Sequence, residues 1–206
     1  MPVESPVRTG YRITAQCAIS AAMDAFLFAF AAVLVVSLGG RDQLLVARLA
    51  ERLGPSGGLL AVGALASILS ALAMAAAGLA LALVLPPAAA DMLVAFALLI
   101  AAAELAWPRS ARLPAEPTAS LFATLIVLLA RQLGDAARFM VFAFAAWGSV
   151  WLAAGGGALG GVAALATGAM AGGEIARWPL RAIRLTIAAV LAIAGIFAAL
   201  SVRGIV

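Results

Sequence analysis

The chain consists of long apolar runs that are separated by short clusters of charged residues and prolines. The first run covers about residues 13–38 and contains one charge, Asp24. Residues 57–90 contain no charge, and a proline pair divides them into two helices, of which the second continues to about residue 107. Because a transmembrane helix needs about 20 mainly apolar residues, these runs predict three spans.

The second half repeats this order after a proline-rich segment at residues 108–117. A fourth run begins near residue 118 and is interrupted by two arginines and Asp135, whereas residues 139–173 are uncharged and long enough to finish that helix and to form a fifth. The last run, about residues 185–202, is the sixth. The runs are continuous, not alternating, which is typical of membrane helices and not of barrel strands.

The composition indicates that these helices lie in a lipid bilayer, and it limits the kinds of function that the protein can have. Of 206 residues, 66% are hydrophobic and 11% are charged, with a mean hydropathy of +1.17, which excludes a water-soluble fold. The net charge of +4 comes from surplus arginines on an apolar chain, and this is not the basic, polar face that binds nucleic acid. Because histidine, the usual general base and metal ligand, is absent, we expect neither an enzyme nor a bound cofactor.

The two halves of the chain align with each other at a spacing of about 95 residues. Gly39 aligns with Gly134, and Gly63 aligns with Gly157. In each copy a polar, glycine-containing break follows the first apolar stretch, and a Gly/Ala-rich helix comes later. Since each copy holds an odd number of spans, the second copy must enter the membrane from the opposite side.

The sequence therefore predicts an all-α integral membrane protein with six transmembrane helices, arranged as two inverted three-helix repeats. The first repeat is predicted at residues 13–107 and the second at residues 118–206. A short N-terminal tail, residues 1–12, precedes the first repeat, and residues 108–117 form the linker between the two. The tail shows no small-residue cleavage site, so the first run is interpreted as a span and not as a removed signal peptide.

The two breaks read Ser-Leu-Gly-Gly-Arg-Asp-Gln at residues 37–43 and Gln-Leu-Gly-Asp-Ala-Ala-Arg at residues 132–138. They resemble degenerate copies of a Glu-x-Gly-Asp-(Lys/Arg)-(Thr/Ser) motif. This motif occurs twice in the family of Golgi- and bacterial-type manganese/calcium–proton exchangers of the LysE transporter superfamily. The first copy retains Gly39, with a basic residue two positions later, and the second retains Gly134 and Asp135.

The resemblance implies a secondary transporter of small cations, manganese or calcium, in exchange for protons. Members of that family have six helices in two inverted repeats, and their motif acids are thought to bind the cation. We accordingly expect a multi-pass protein of a bacterial inner (plasma) membrane, with an ion path between the two breaks. Its partners would be the lipid bilayer, small cations and protons, with no nucleic acid.

The equivalent motif positions supply a candidate ion site of four residues: Asp135, Gln132, Ser37 and Asp42. Ser37 and Gln132 stand where the motif has Glu, and both offer neutral oxygens to a cation, which prefers hard oxygen ligands. Asp135 is a functional acid or the ion-pair partner of a neighbouring arginine, since an ionisable group at membrane depth is a functional candidate by default. Asp24 is a candidate coupling acid or an interfacial residue.

Two further features leave alternatives open. Asp91 and Glu104 lie near opposite ends of the third predicted span and are expected to snorkel or to cap a helix. Because most motif acids are replaced, the alternative function is that of a transport-inactive relative acting as a membrane interaction or regulatory subunit. Such a subunit would bind another membrane protein or a second copy of itself.

Overall fold

A computed structural model describes residues 23–53, 56–107 and 120–204 of the chain. These residues are α-helical almost throughout, and no strand occurs among them. The predicted N-terminal tail, residues 1–12, and the predicted linker, residues 108–117, lie outside the described residues. The prediction of an all-α membrane protein is therefore confirmed for the parts of the chain that carry the apolar runs.

The described residues form α-helices and one short 3₁₀ helix in the following order: α1 Met23–Ser37, α2 Arg41–Leu53, α3 Gly57–Ala82, α4 Pro87–Ala106, α5 Leu121–Leu133, α6 Ala136–Trp147, α7 Val150–Ala171, the 3₁₀ helix Gly172–Arg177, and α8 Leu180–Val202. Helices α3, α4, α7 and α8 are long and apolar enough to cross a membrane. Helices α1 and α2 together make a fifth candidate span that is bent by 64°. The number of six spans and their inverted arrangement stay predictions.

Local sequence explains where several of these helices begin. Ser56 stands at the N-cap of α3, where its Oγ accepts a hydrogen bond of 3.2 Å from the amide of Leu59. The amide of Ala123 donates to the Oγ of Ser120 in the same way at the start of α5. The proline pair at the start of α4 needs no intrahelical hydrogen bond there, because the first amides of a helix have no partner within it.

Helix α8 extends beyond the apolar run that predicts the last span. That span is predicted at residues 185–202, whereas α8 begins at Leu180 and includes two arginines near its start. Charge alone predicts a later start, because arginine is costly in hydrocarbon. Arg184 is partly buried, and its Nη1 donates a hydrogen bond of 2.9 Å to the carbonyl oxygen of Gly39.

The helices pack mainly against helices of the other half of the chain. Helix α3 packs against α7, α4 packs against α8, α6 lies against α3 and α4, and α2 lies against α7. Alanine and glycine dominate these contacts, so backbones approach closely. A Cβ at Gly160 on α7 would lie 2.6 Å from the carbonyl oxygen of Phe30 on α1, so only glycine permits this crossing.

Large apolar side chains cover much of the outer surface. Helix α8 exposes Val190, Ile193 and Phe197, each with at least 60% of its surface accessible. An apolar exterior around a small-residue core is the arrangement expected when hydrocarbon is the solvent. The described helices thus indicate a lipid bilayer as the environment of the chain.

Candidate functional site

The breaks between α1 and α2 and between α5 and α6 meet at one cavity of about 580 Å³. Residues of both breaks line it, together with the C-terminal end of α4 and the first turns of α8. The cavity therefore lies where two helix breaks and the ends of two further helices meet. Irregular backbone at membrane depth is tolerated where it lines such a cavity.

The first break depends on Gln43, whose side chain is buried. The amide of Gly39 donates a hydrogen bond of 2.7 Å to the Oε1 of Gln43. The Nε2 of Gln43 donates to the carbonyl oxygen of Ala164 and to the Oγ1 of Thr167, both at 2.9 Å. Gly39 has a φ of +64°, a backbone conformation that favours glycine. This conformation explains why a glycine stands at this position of the break. Gln43 thus ties the first break to α7.

The second break is organised around Arg138, which is 3% exposed. Its Nη1 donates to the carbonyl oxygen of Gly157 at 2.9 Å, and its Nη2 donates to the Oε1 of Gln132 at 3.0 Å. The same Oε1 accepts a hydrogen bond of 2.7 Å from the Oγ of Ser70. Both of these acceptors are neutral oxygens, so these hydrogen bonds do not pair the charge of Arg138 with a carboxylate.

Gly161 leaves the space that the Arg138 guanidinium occupies. A Cβ at this position would clash with the Nη2 of Arg138 and would lie 2.9 Å from the Oγ of Ser67. Within the described part of the chain, that buried hydroxyl has no hydrogen-bond partner. The sequence pattern offers one signal for Arg138, because it occupies the position equivalent to Gln43 at the spacing of the repeat.

Glu104 enters the cavity from α4 and caps a helix of another span. The amide of Ala136 donates a hydrogen bond of 2.7 Å to its Oε2, although Asp135 occupies the N-cap position of α6 and caps no amide with its side chain. Asp135 and Glu104 both line the cavity. Sequence reasoning expected Glu104 to snorkel or to cap, and missed its place beside Asp135.

An ion pair links the two breaks directly. The Nε of Arg131, at the end of α5, lies 3.9 Å from the Oδ1 of Asp42, at the start of α2. The Nη1 of Arg131 is buried and has no hydrogen-bond partner among the described residues. The sequence suggested Arg131 as a partner of Asp135, but Arg131 forms its ion pair with Asp42, the acid of the other break.

The four residues of the predicted ion site, Asp135, Gln132, Ser37 and Asp42, all line the cavity. Asp24 does not line it, and its side chain is exposed on α1. Within the ranges that the structure describes, no group of three or more His, Cys, Asp or Glu side chains is placed to hold a metal ion. Ser37 and Gln132 therefore share the cavity with both acids, whereas the role of Asp24 stays a prediction.

Arginines outnumber acids in the lining of this cavity. The basic members are Arg41, Arg131, Arg138, Arg181 and Arg184, and the acidic members are Asp42, Glu104 and Asp135. No protein-family model, curated protein or solved structure matches the chain. The family resemblance of the two breaks accordingly stays a prediction, and function has to be argued from the cavity itself.

Proposed function

We propose that this protein is a secondary transporter whose solute path runs through the cavity between the two helix breaks. The observation that carries the proposal is the convergence of both breaks on one polar cavity within an apolar helical protein. Transporters of inverted-repeat architecture bind their solutes between discontinuous helices near the midplane. In the described residues, the polar groups that such a site requires lie at the two breaks.

The proposal includes six spans in two inverted repeats, with α5 and α6 together forming the fourth span. Leu121, at the start of α5, lies against Gly58 at the start of α3, since a Cβ on Gly58 would be 3.1 Å from it. At the other end, the ring of Trp147 in α6 is 6.3 Å from that of Phe28 in α1. The pair α5–α6 thus begins beside the start of α3, which follows α2 in the chain, and finishes beside α1, which supports a direction opposite to that of α1–α2.

Proton coupling is assigned to Asp135 and Glu104, two acids that line the cavity. A coupling site has to exchange a proton when it is exposed to each side of the membrane, and intramembrane carboxyl groups serve this purpose in pumps and transporters. Asp135 lies at the break itself, and Glu104 accepts a hydrogen bond from the amide of the next residue, Ala136. A movement of α6 against α4 would therefore change the distance between the two carboxyl groups and with it their affinity for a proton.

Access to the cavity changes, in this proposal, when one repeat rocks against the other. The Asp42–Arg131 ion pair and the hydrogen bond from Arg184 to Gly39 join the two halves of the chain at the cavity. Both contacts have to break and re-form as the repeats move. They therefore stabilise one of the two access states.

The proposal is tested by flux in proteoliposomes that contain a trapped pH-sensitive dye. A gradient of manganese, calcium, succinate or phosphate is imposed, and proton movement is followed together with solute uptake. We expect a solute gradient to drive proton movement in the natural protein and not in Asp135→Asn. The matched control is Asp91→Asn, which removes an acid near the opposite end of α4 and outside the cavity lining. Absence of flux for every solute would exclude the transporter.

A second candidate function, a transport-inactive interaction or regulatory subunit, is favoured by one observation. The guanidinium of Arg138 lines the cavity, and its hydrogen bonds to Gly157 and Gln132 hold this positive charge in place. A permanently occupied site would not carry a transported ion. This candidate predicts no flux and the co-purification, in fixed stoichiometry, of another membrane protein or a second copy of the chain.

A further inference from the structure

The charge of the cavity differs from that of a cation site. Three acids face five arginines in its lining. The lining therefore has an excess of positive charge, whereas a site for a divalent cation needs an excess of negatively charged oxygen ligands.

Two of these arginines, Arg131 and Arg138, are only partly compensated by the contacts that they make with described residues. Arg138 donates to two neutral oxygens and is almost fully buried. Arg131 shares Asp42 at 3.9 Å, and its Nη1 has no hydrogen-bond partner among the described residues. Buried charge without direct compensation is costly in a medium of low dielectric constant, and a bound anion would supply the compensation.

We propose that the cavity binds a small anionic solute, whose carboxylate or other oxyanion oxygens lie between Arg131 and Arg138. This inference rests on the proposed function, because it names the class of solute that the path carries. A guanidinium is suited to this role, since its planar fork donates two parallel hydrogen bonds to one carboxylate or phosphate group. A divalent cation would meet repulsion at the same place.

The size and the rim of the cavity agree with such a solute. A volume of about 580 Å³ is within the range of small-molecule sites. Arg41 and Arg181 are exposed and border the same cavity. Positive charge at an opening attracts anions and raises their local concentration. The solute would thus be guided past exposed arginines to Arg131 and Arg138.

The test is a binding measurement on the full chain purified in detergent. Sodium succinate, sodium acetate and sodium phosphate are titrated calorimetrically, with sodium chloride as the baseline, and manganese and calcium chlorides are titrated in parallel. We expect one of the three oxyanions to bind, and Arg131→Gln to weaken that binding about tenfold, as for loss of one charged hydrogen-bond donor. The carboxylate and phosphate arms distinguish an organic acid from an inorganic oxyanion.

Arg203→Gln is the matched control, because Arg203 is exposed beyond the opposite end of α8 and does not line the cavity. It should leave anion binding unchanged. A melting curve for each variant separates loss of the site from loss of the fold. If no oxyanion binds to a folded protein, or if Arg131→Gln and Arg203→Gln bind it equally, the inference is wrong.

The binding test and the flux test can give opposite results, so the anion site and the transporter are tested independently. If an oxyanion binds in detergent but no solute crosses in proteoliposomes, the transporter proposal is wrong and the anion site stands. If manganese or calcium crosses and no oxyanion binds, the transporter stands and the anionic solute is wrong.

Discussion

Asp42 and Arg131 lie 3.9 Å apart at Oδ1 and Nε, and this ion pair is the direct electrostatic link between the two helix breaks. Its members belong to different halves of the chain. The side chains are 17% and 26% exposed, so the pair is neither fully screened by solvent nor fully desolvated. The ion pair therefore contributes modestly to the free energy of unfolding. Its direct effect is to hold the two breaks next to each other.

A double-mutant cycle measures this link. Asp42→Asn and Arg131→Gln should each destabilise the fold, and the double variant should lose less than the sum of both by about 1 kcal/mol, as for a partly exposed pair. The free energy of unfolding is measured by denaturing-detergent titration in mixed micelles. The comparison is the cycle of Arg203→Gln with Arg131→Gln, which should be additive because Arg203 lies at the opposite end of α8 and does not line the cavity. Additivity in both cycles would show that the ion pair does not couple the breaks.

The two motif glycines should differ in their tolerance of a side chain. Gly39 has a φ of +64°, and a Cβ there would lie 3.2 Å from the Cδ2 of Leu180. Gly134 has a φ of −99° and nothing within 4 Å of such a Cβ. We expect Gly39→Ala to lower the free energy of unfolding by about 1–2 kcal/mol, the cost of the left-handed conformation for an L-residue. Gly134→Ala should be neutral or slightly stabilising.

The same titration in mixed micelles decides this prediction. Equal effects of the two substitutions would mean that the breaks have the same backbone conformation. That result would contradict the difference in φ.

The contact of α7 with α1 should depend on one of two adjacent glycines. A Cβ at Gly156 would clash with the carbonyl oxygen of Phe26, whereas a Cβ at Gly155 would lie 3.9 Å from the ring of the same residue. Gly156→Ala should destabilise by about 1–3 kcal/mol, since overpacking forces the helices apart. Gly155→Ala should stabilise by up to about 1 kcal/mol through helix propensity.

Thermal unfolding in detergent compares these two variants with the natural protein. Because both substitutions add the same methyl group to the same helix, they differ only in what that group meets. A stable Gly156→Ala protein would refute the close crossing of α1 and α7.

Glu104→Gln should separate helix capping from proton exchange. The side-chain oxygen of glutamine can still accept the hydrogen bond from the Ala136 amide, which Glu104 accepts at 2.7 Å. Glutamine carries no acidic proton, so one of the two carboxyl groups to which proton coupling is assigned is lost. We expect a melting temperature near that of the natural protein and no solute-driven proton flux.

Glu104→Ala is the companion variant. It removes both the carboxyl group and the hydrogen bond that this group accepts from the Ala136 amide. We expect it to lower the free energy of unfolding by about 1 kcal/mol, a typical cost of a lost N-cap. Proton flux that persists in Glu104→Gln would place the coupling site elsewhere.

The two breaks were predictable, but the partners of their polar groups were not. The spacing of about 95 residues brought Gly39 and Gly134 into alignment, and both stand at helix breaks. In contrast, Asp135 and Arg138 are neighbours in sequence, yet the guanidinium of Arg138 donates to Gly157 and Gln132. Proximity along a helix suggested an ion pair, and the direction of the side chain into the protein prevented it.

The sequence alone determined that hydrocarbon surrounds the helices, where the apolar runs lie and where the breaks interrupt them. Hydrocarbon acts on each stretch of about 20 residues locally, so these features are readable without any tertiary contact. Only the tertiary structure decided that Glu104 caps α6, that Arg131 pairs with Asp42, and that the cavity holds more arginine than acid. Those outcomes depend on which helix ends meet, because a buried polar group takes the partner that packing brings within hydrogen-bonding distance.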